Sequence, residues 1–525
     1  MKNRKKTYLK ISIIALELFL SFFLSLPDTY GQFNGRLTDA ETGYPLEFAS
    51  IQSEPAEIAV LSGPDGFFSI PENGKDSLNV IISHLGYSAG TFILHKDLFS
   101  NIRLLPDYNQ IGEVIVTATH FNSSLQSGAG SISLITQELI NHNLSPTLTG
   151  IINQVPGIFM ADGTLSTNRL TIRGIGSRNP YGTSKIRIYL DEIPVNLVDG
   201  TSSPENINPD IIERIEILKG PSSAVFGAGL GGTVIIKPKF PVQEGFNAGY
   251  KASFGSWSTY SNSADISMKK NNTSFTLTGK SLRTEGFREN SDLKRKDFFL
   301  GFDHLMDKGK VRFLLNYLDF RGGIPSSINE DDYLENPEKA AASWLGVKGF
   351  EDTRNMNGGI SFDYSLTNKL NTRALLFFGY GDLYESRPFN IFDSRHYNIG
   401  VRQSLDFKAT WMELKVGYEA INEYTGWEIF QTNTGVRGDR LNALKDKRSY
   451  FSGFIHSEIT YIPRLRIEPG LSLTVVSYQL YDKFENAEDL SGRYNYKPEL
   501  SPRLGLNYQA GQSRFVYASL GHGFS

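Results

Sequence analysis

Gly227, Gly229 and Gly232 have the spacing G-x-G-x-x-G, the pattern of a loop that cradles a dinucleotide pyrophosphate. That chemistry requires a helix to open at the glycines, because its first amides hold the phosphates. Here the glycines lead into Thr233-Val234-Ile235-Ile236 and then Lys237-Pro238. A β-branched run closed by proline predicts a strand. The fingerprint also needs an acidic residue about 20 positions on, and the nearest, Glu244, comes too early. The loop therefore reads as a turn between two strands, and its glycine density needs another cause.

Other site chemistries find no support. Pro64-Asp65-Gly66 lacks the alternating Asp/Asn ligands of a calcium loop and reads as a hairpin turn. The 8 histidines are scattered without metal-ligand spacing. Neither H-E-x-x-H nor G-x-S-x-G is present, so an enzyme has no motif to rest on. The absence of cysteine excludes disulfides, thiolate metal sites and a lipidated N-terminal cysteine. No metal site and no covalently bound cofactor are expected. With 53 basic and 56 acidic residues the net charge is −3, which gives no electrostatic case for nucleic acid.

The elements around the glycines are more informative. Lys2, Arg4, Lys5, Lys6 and Lys10 precede an apolar run from Ile11 to Leu26, then Pro27 and the small Gly31. This is the layout of a secretory signal peptide over residues 1–31. The run is too short for a typical membrane helix and contains Glu17. Residues 32–107 alternate short β-type runs with turns, which predicts a small β-sandwich. Residues 121–240 are mixed. A helical pattern at Leu148, Ile151, Ile152 and Val155 stops before Pro156. Asn208-Pro209 could cap a short helix, and three strand-like runs flank these signals.

From Gly245 to the end the pattern changes to segments of roughly 10 residues with strict two-residue alternation, the length of tilted membrane strands. Met412, Leu414, Val416, Tyr418 and Ala420 share one face; Glu413, Lys415, Gly417 and Glu419 share the other. Leu471, Leu473 and Val475 oppose Glu468, Ser472 and Thr474 in the same way. A soluble sandwich also alternates. Charges on the polar face, aromatics near segment ends and the export signal favour a membrane barrel with a polar lumen. About a dozen such segments are expected. The mean hydropathy of −0.26 hides them, since alternating faces cancel.

The mixed region carries "LTIRGIGSR", "IRIYLDEIPV" and "IERIEILKGPSSAVFGAGLGGTVIIKPK" in that order before the barrel. This resembles the plug domain of TonB-dependent outer-membrane receptors. The plug motif then comprises Arg173, Gly174, Asp191, Glu216, Lys219, Gly220, Gly227, Gly231 and Gly232. "GEVIVTATH", residues 112–120, resembles the TonB box, with Glu113, Val114, Ile115, Val116 and Thr117 at its centre. Residues 32–107 resemble the carboxypeptidase-regulatory-like module of Bacteroidetes receptors, through "GRLTDAETGYPLEFASI", "PDGFFSI" and "LGYS". Two departures affect detail: Lys219 stands where the family usually has arginine, and "GGTVIIKPK" replaces a "GGVINI"-like run. Family barrels have more strands than this sequence, so a C-terminally incomplete chain is expected.

The resemblance implies an all-β dominated fold: a transmembrane antiparallel β-barrel with a small mixed α/β plug and an N-terminal β-sandwich. It implies outer-membrane residence among lipids, energy from a TonB–ExbB–ExbD complex, and import of a small-molecule ligand, most often an iron–siderophore complex. Plug charges such as Arg173, Glu213, Arg214, Glu216 and Lys219 would face the lumen wall or pair within the plug. Two loops would meet ligand: Asp162, Thr164, Ser166 and Asn168 in one, Asp199, Ser202 and Ser203 in the other. A glycan importer acting with a surface lipoprotein, or a signal-transducing receptor, would share these features. A passive pore or adhesin would not need a plug.

Overall fold

The computed structural model describes residues 32–524 except 41–42, 54–57, 72–75, 85–86, 97, 106–127, 144–146, 163–167, 180–181, 222, 228, 485–488 and 512–513. The expected signal peptide and the stretch 112–120 lie outside the described residues. Two units divide the chain, Met1–Val114 and Ile115–Ser525.

In the first unit, β1 (Gln32–Asp39), β4 (Phe67–Pro71) and β7 (Ser100–Leu104) form one sheet in the order β4-β1-β7. Strands β2 (Ser50–Ser53), β3 (Ala59–Leu61), β5 (Ser77–Ser83) and β6 (Gly90–His95) form another, β3-β2-β5-β6. Alternation places Leu78, Val80 and Ile82 inward, and they share one core with Phe33, Leu37 and Ile51. The Pro64-Asp65-Gly66 turn works through its glycine. Gly66 has φ +77°, and a Cβ there would lie 2.3 Å from the Leu37 carbonyl oxygen.

The second unit begins with a small mixed domain. Its central sheet has the order β12-β11-β14-β13-β8, built from β8 (Ser131–Ile135), β11 (Ile186–Leu190), β12 (Ile193–Pro194), β13 (Ile212–Lys219) and β14 (Gly232–Pro238). Strands β9 (Ile158–Asp162) and β10 (Asn168–Ile172) pair separately. The helical pattern before Pro156 gives one turn, Thr149–Ile152, with Leu148, Ile151, Ile152 and Val155 in the core. Asn208 does cap, accepting from the Asp210 amide at 3.1 Å. The result is a 3-10 turn, Pro209–Ile211, because β13 begins at the next residue. The run after the glycines is β14, a strand.

The rest is one antiparallel sheet of 14 strands, a little above the dozen expected. They are β15 (Gly245–Gly255), β16 (Thr259–Lys270), β17 (Thr273–Thr284), β18 (Leu293–Met306), β19 (Gly309–Gly323), β20 (Phe350–Thr367), β21 (Leu370–Ser386), β22 (Ile391–Lys408), β23 (Met412–Asn433), β24 (Val436–Ile459), β25 (Leu465–Asp482), β26 (Gly492–Asn495), β27 (Glu499–Gly511) and β28 (Arg514–Gly521). Each pairs with the next, except that β27 and β26 both pair with β25. Strands reach 24 residues, in β24, well beyond the roughly 10 needed to cross a bilayer. The β23–β24 pair turns tightly through Thr434 (φ +53°) and Gly435 (φ +85°), both in the left-handed region that two-residue hairpins demand.

Burial in this sheet is inverted relative to a soluble sandwich. On β25 the polar Glu468, Ser472 and Thr474 are 1–2% exposed, while Leu471, Leu473 and Val475 are 38–43% exposed. A water-soluble sandwich would bury the apolar face. Polar-in, apolar-out is the arrangement of a barrel wall in lipid. The polar face touches the mixed domain from many strands: Lys280 of β17, Arg312 of β19, Arg373 of β21, Glu419 of β23 and Glu468 of β25 all bond to it. The sheet therefore curves around the mixed domain.

Candidate functional site: the interface between inner domain and wall

Strand β11 is buried on both faces. Ile186, Ile188 and Leu190 enter the inner domain's core, so Arg187 and Tyr189 face the other way, into a second cluster. Arg187 Nη2 meets Glu419 Oε1 at 2.7 Å, and Arg402 Nη1 meets Glu419 Oε2 at 3.0 Å. One wall carboxylate thus bridges an inner-domain guanidinium and a wall guanidinium. Both arginines also cap the short helix Ser223–Phe226. Arg187 Nε donates to the Phe226 carbonyl at 3.2 Å and Arg402 Nη2 to the Val225 carbonyl at 3.0 Å. These are last-turn carbonyls with no helical partner of their own.

The glycine-rich turn follows this helix directly, and the wall explains its composition. Gly227 has φ +66°, and a Cβ there would lie 2.0 Å from Tyr450 Oη of β24. Gly232, at φ +133°, would place a Cβ 2.1 Å from the Leu218 carbonyl oxygen. The glycines let the backbone turn tightly from β13 to β14 and lie against the wall.

A second set of ion pairs lies at the β11–β12 turn. Asp191 (φ +56°) accepts from Lys237 Nζ and from Arg312 Nη1, each at 2.8 Å. Arg312 also binds Asp303 at 2.6 Å. Burial alone would push the Asp191 carboxyl up; Lys237 and Arg312 outweigh that and hold it well below the usual carboxylate range. The neighbouring Glu192 pairs with Arg373, which also holds Asp363. Further along, Arg448 Nη1 binds Asp199 Oδ2 at 2.7 Å and Glu423 Oε1 at 3.1 Å, and Lys280 binds Asp210 at 2.9 Å. Elsewhere the Ala129 amide donates to Glu468 Oε1 at 3.1 Å. Between these contacts lies a cavity of about 740 Å³, lined by Tyr189, Asp191, Glu192 and Lys237 from inside and by Arg373 and Lys415, among others, from the wall.

Of the two places open to the plug charges, the lumen wall or a partner within the plug, several take the second and hold the inner domain together. Arg214 pairs with Glu213 and with the fully buried Glu216, each at 2.9 Å. Lys219 Nζ donates to the Pro156 carbonyl at 2.6 Å. Arg173, at φ +51°, reaches the Lys219 carbonyl at 3.4 Å, beside Gly174 at φ +79°. Gly220 (φ +105°) donates its amide to the Gly231 carbonyl at 3.0 Å. These charges are bonded within one domain because their strands, β13 above all, lie inside its sheet. Ion pairs to the wall come from Arg187, Asp191, Glu192, Asp199 and Asp210. Of these, Arg187, Glu192 and Asp210 were not singled out by the sequence. For Arg187 the available signal was its position in an apolar run, on the face shared with Tyr189.

The expected ligand loops divide. Asn168 and Ser202 are buried, which removes them from the solvent-facing set in this conformation. Asp199 is committed to Arg448 and Thr201, and Ser203 is half-buried. Thr164 and Ser166 lie outside the described residues, as do 113–117, and of Asp162 only the strand backbone is described.

Residues 124–234 match the family model of the TonB-dependent Receptor Plug Domain. The matched residues are those of the inner domain, called the plug from here on. Among curated proteins, the vitamin B12 transporter BtuB of Vibrio vulnificus is 28% identical over 117 residues, 22% of this chain and 18% of that one. The ferrioxamine receptor of Yersinia enterocolitica is 28% identical over 127 residues, 24% of this chain and 17% of that one. Both relatives are named for transport or reception, not for catalysis. Among solved structures, the unliganded ferric citrate transporter FecA aligns with a TM-score of 0.65 at 17% identity, over 75% of this chain and 63% of that one. The alcaligin receptor FauA of Bordetella pertussis aligns with a TM-score of 0.62 at 18% identity, over 78% and 65%. Plug and wall together thus have the fold of TonB-dependent receptors. The chain spans less than a fifth of the length of the two curated relatives and under two thirds of the two solved receptors.

One plug carboxylate stands apart. Glu205 lies in the turn Pro204–Asn206, and its buried Oε2 has no partner among the described residues. Burial pushes its carboxyl from the usual 4.5 up to about 8. Near neutrality the folded plug therefore holds a proton that the unfolded chain has already released. This contribution to stability is intact below the unfolded pKa of 4.5 and is lost as pH rises through about 8. Glu205→Gln is expected to flatten that dependence. Melting midpoints at acidic and mildly alkaline pH check it: the wild-type midpoint should fall more on alkalinisation than the variant's.

Proposed function

We propose that the protein is an outer-membrane receptor that binds a scarce ligand outside the cell and imports it with energy delivered by TonB. The observation that carries this reading is a plug seated in a polar-lined wall and held there largely by ion pairs. A lumen wide enough for a plug would leak if empty. Polar contacts such as Asp191–Arg312 can be exchanged for water when the plug is pulled.

Residues 1–31 serve export as a cleaved signal peptide. Residues 112–120 act as the TonB box, an extended β-branched stretch that adds a strand to a partner in the periplasm. The division between the two units falls inside this stretch, as suits a connector. Residues 32–107 are a carboxypeptidase-regulatory-like module. The TonB–ExbB–ExbD complex supplies the pull. The plug loop with Asp199 and Ser203, together with the first loop around Asp162, Thr164 and Ser166, meets ligand from outside.

An iron–siderophore complex is the cargo this reading favours, because the ferrioxamine, ferric citrate and alcaligin proteins are among those similar to the chain. A strain lacking the gene, offered single iron sources, tests it. It should fail to grow on one or more ferric siderophores and grow normally on ferrous iron. Normal growth on every siderophore, with a defect confined to a glycan, would replace the iron reading by that of a glycan importer.

A further inference from the structure

The outward face of the sheet carries a charge arrangement that uptake does not use. Register places Arg283 of β17 opposite Lys294 of β18, and Lys294 opposite Arg321 of β19. All three are exposed and lie on the face away from the plug. The inward side at this level is the apolar cluster Leu282, Leu293, Leu318 and Phe320. Three like charges side by side on adjacent strands repel one another. Lys296, two residues further along β18, adds a fourth cation.

The acids nearby do not neutralise the row. Asp352 reaches Arg321 at 3.6 Å, and Asp319 opposes Lys296 in register. Glu285 accepts from Ser258. Arg283, Lys294 and Lys296 have no acidic partner within ion-pair distance among the described residues. Elsewhere on this face opposite charges converge, as where Arg354 and Arg395 meet Asp382 and where Arg437 and Arg440 meet Glu428.

Position identifies the missing anion. The same register continues down these strands into outward apolar pairs, half-buried to exposed, Phe298↔Tyr317, Leu300↔Leu315 and Phe302↔Phe313. At the other flank the row runs into Tyr260 and Phe254, whose tilted rings have centroids 5.0 Å apart. Aromatic residues above an apolar belt mark the headgroup level of a membrane. The two longest connections between the strands from β15 to β25, residues 285–292 and 324–349, lie at this end of the sheet, against short turns such as 271–272 and 307–308 at the other. Long connections mark the outside in such barrels.

We propose that Arg283, Lys294 and Arg321 form a binding site for the phosphate of a lipid headgroup in the outer leaflet. The site rests on the outer-membrane reading given above. The row is wide enough for a phosphate to receive charge-assisted hydrogen bonds from neighbouring strands, with its acyl chains against the apolar pairs below.

The purified full chain, reconstituted in phosphatidylcholine vesicles, can be titrated with fluorescent bis-phosphorylated lipid A, with the same lipid dephosphorylated, and with inorganic phosphate as competitor. The expected result is selective binding of the phosphorylated lipid, weakened on the order of 100-fold in R283Q/K294Q/R321Q. Arg395→Gln, which removes a paired cation from the same face, should leave it unchanged. Equal binding of both lipids, an unaffected triple variant, or full competition by inorganic phosphate would each overturn the headgroup site. Flotation of the vesicles reads insertion separately. Inserted protein without phosphate preference refutes this site alone; failure to insert refutes the outer-membrane reading with it.

Discussion

Glu419→Gln is expected to destabilise the seated plug by about 3–5 kcal/mol, the usual cost of removing one partner from a buried ionic cluster. The carboxylate is 4% exposed and holds Arg187 of the plug and Arg402 of the wall at once. Without its charge the two guanidiniums face each other out of water. Replacing all three residues by apolar ones of similar size should recover part of the loss, since no charge is then stranded. Recovery should be incomplete, because the Val225 carbonyl loses its donor and the Phe226 carbonyl keeps only Tyr189 Oη at 3.3 Å, at about 1 kcal/mol for each lost bond. The cysteine-free chain offers a clean reporter. Ile188→Cys, buried in β11, should react with a maleimide only when the plug opens. The urea midpoint for labelling should fall in the Glu419→Gln background. An unchanged midpoint would mean that the Arg187–Glu419–Arg402 cluster does not hold the plug in place.

This cluster was poorly legible in the sequence for a physical reason. Arg187 and Glu419 are 232 positions apart, and no local pattern says which wall strand will face which plug residue. The wall itself was legible. Its two-residue alternation states which side chains share a face, and on β25 the structure has the polar set, Glu468, Ser472 and Thr474, inside. The glycine loop was half legible. Thr233 to Ile236 revealed a strand and dismissed the pyrophosphate cradle, but only the structure shows Tyr450 where a Cβ at Gly227 would lie. At β13 charge type left two places open, the lumen wall or a partner within the plug. Arg214 and Glu216 pair with each other because their strand is interior to the plug sheet. The Asn168 and Ser202 side chains looked like loop polar groups, and their burial depends on tertiary packing that local composition does not encode.

The central claim is that this plug-filled wall imports its ligand with energy transmitted through residues 113–119. A partner that adds a strand to this segment needs its free backbone edges, and these are lost if the segment is removed. The proposed ligand loops lie elsewhere in the chain, so removal should leave capture intact. The decisive measurement compares surface binding and internal accumulation of a labelled ligand in cells carrying the full chain or the chain lacking Glu113 to Thr119. The account predicts unchanged surface binding with accumulation reduced to the level of cells without the gene. Accumulation at the full rate in the deleted chain would contradict it.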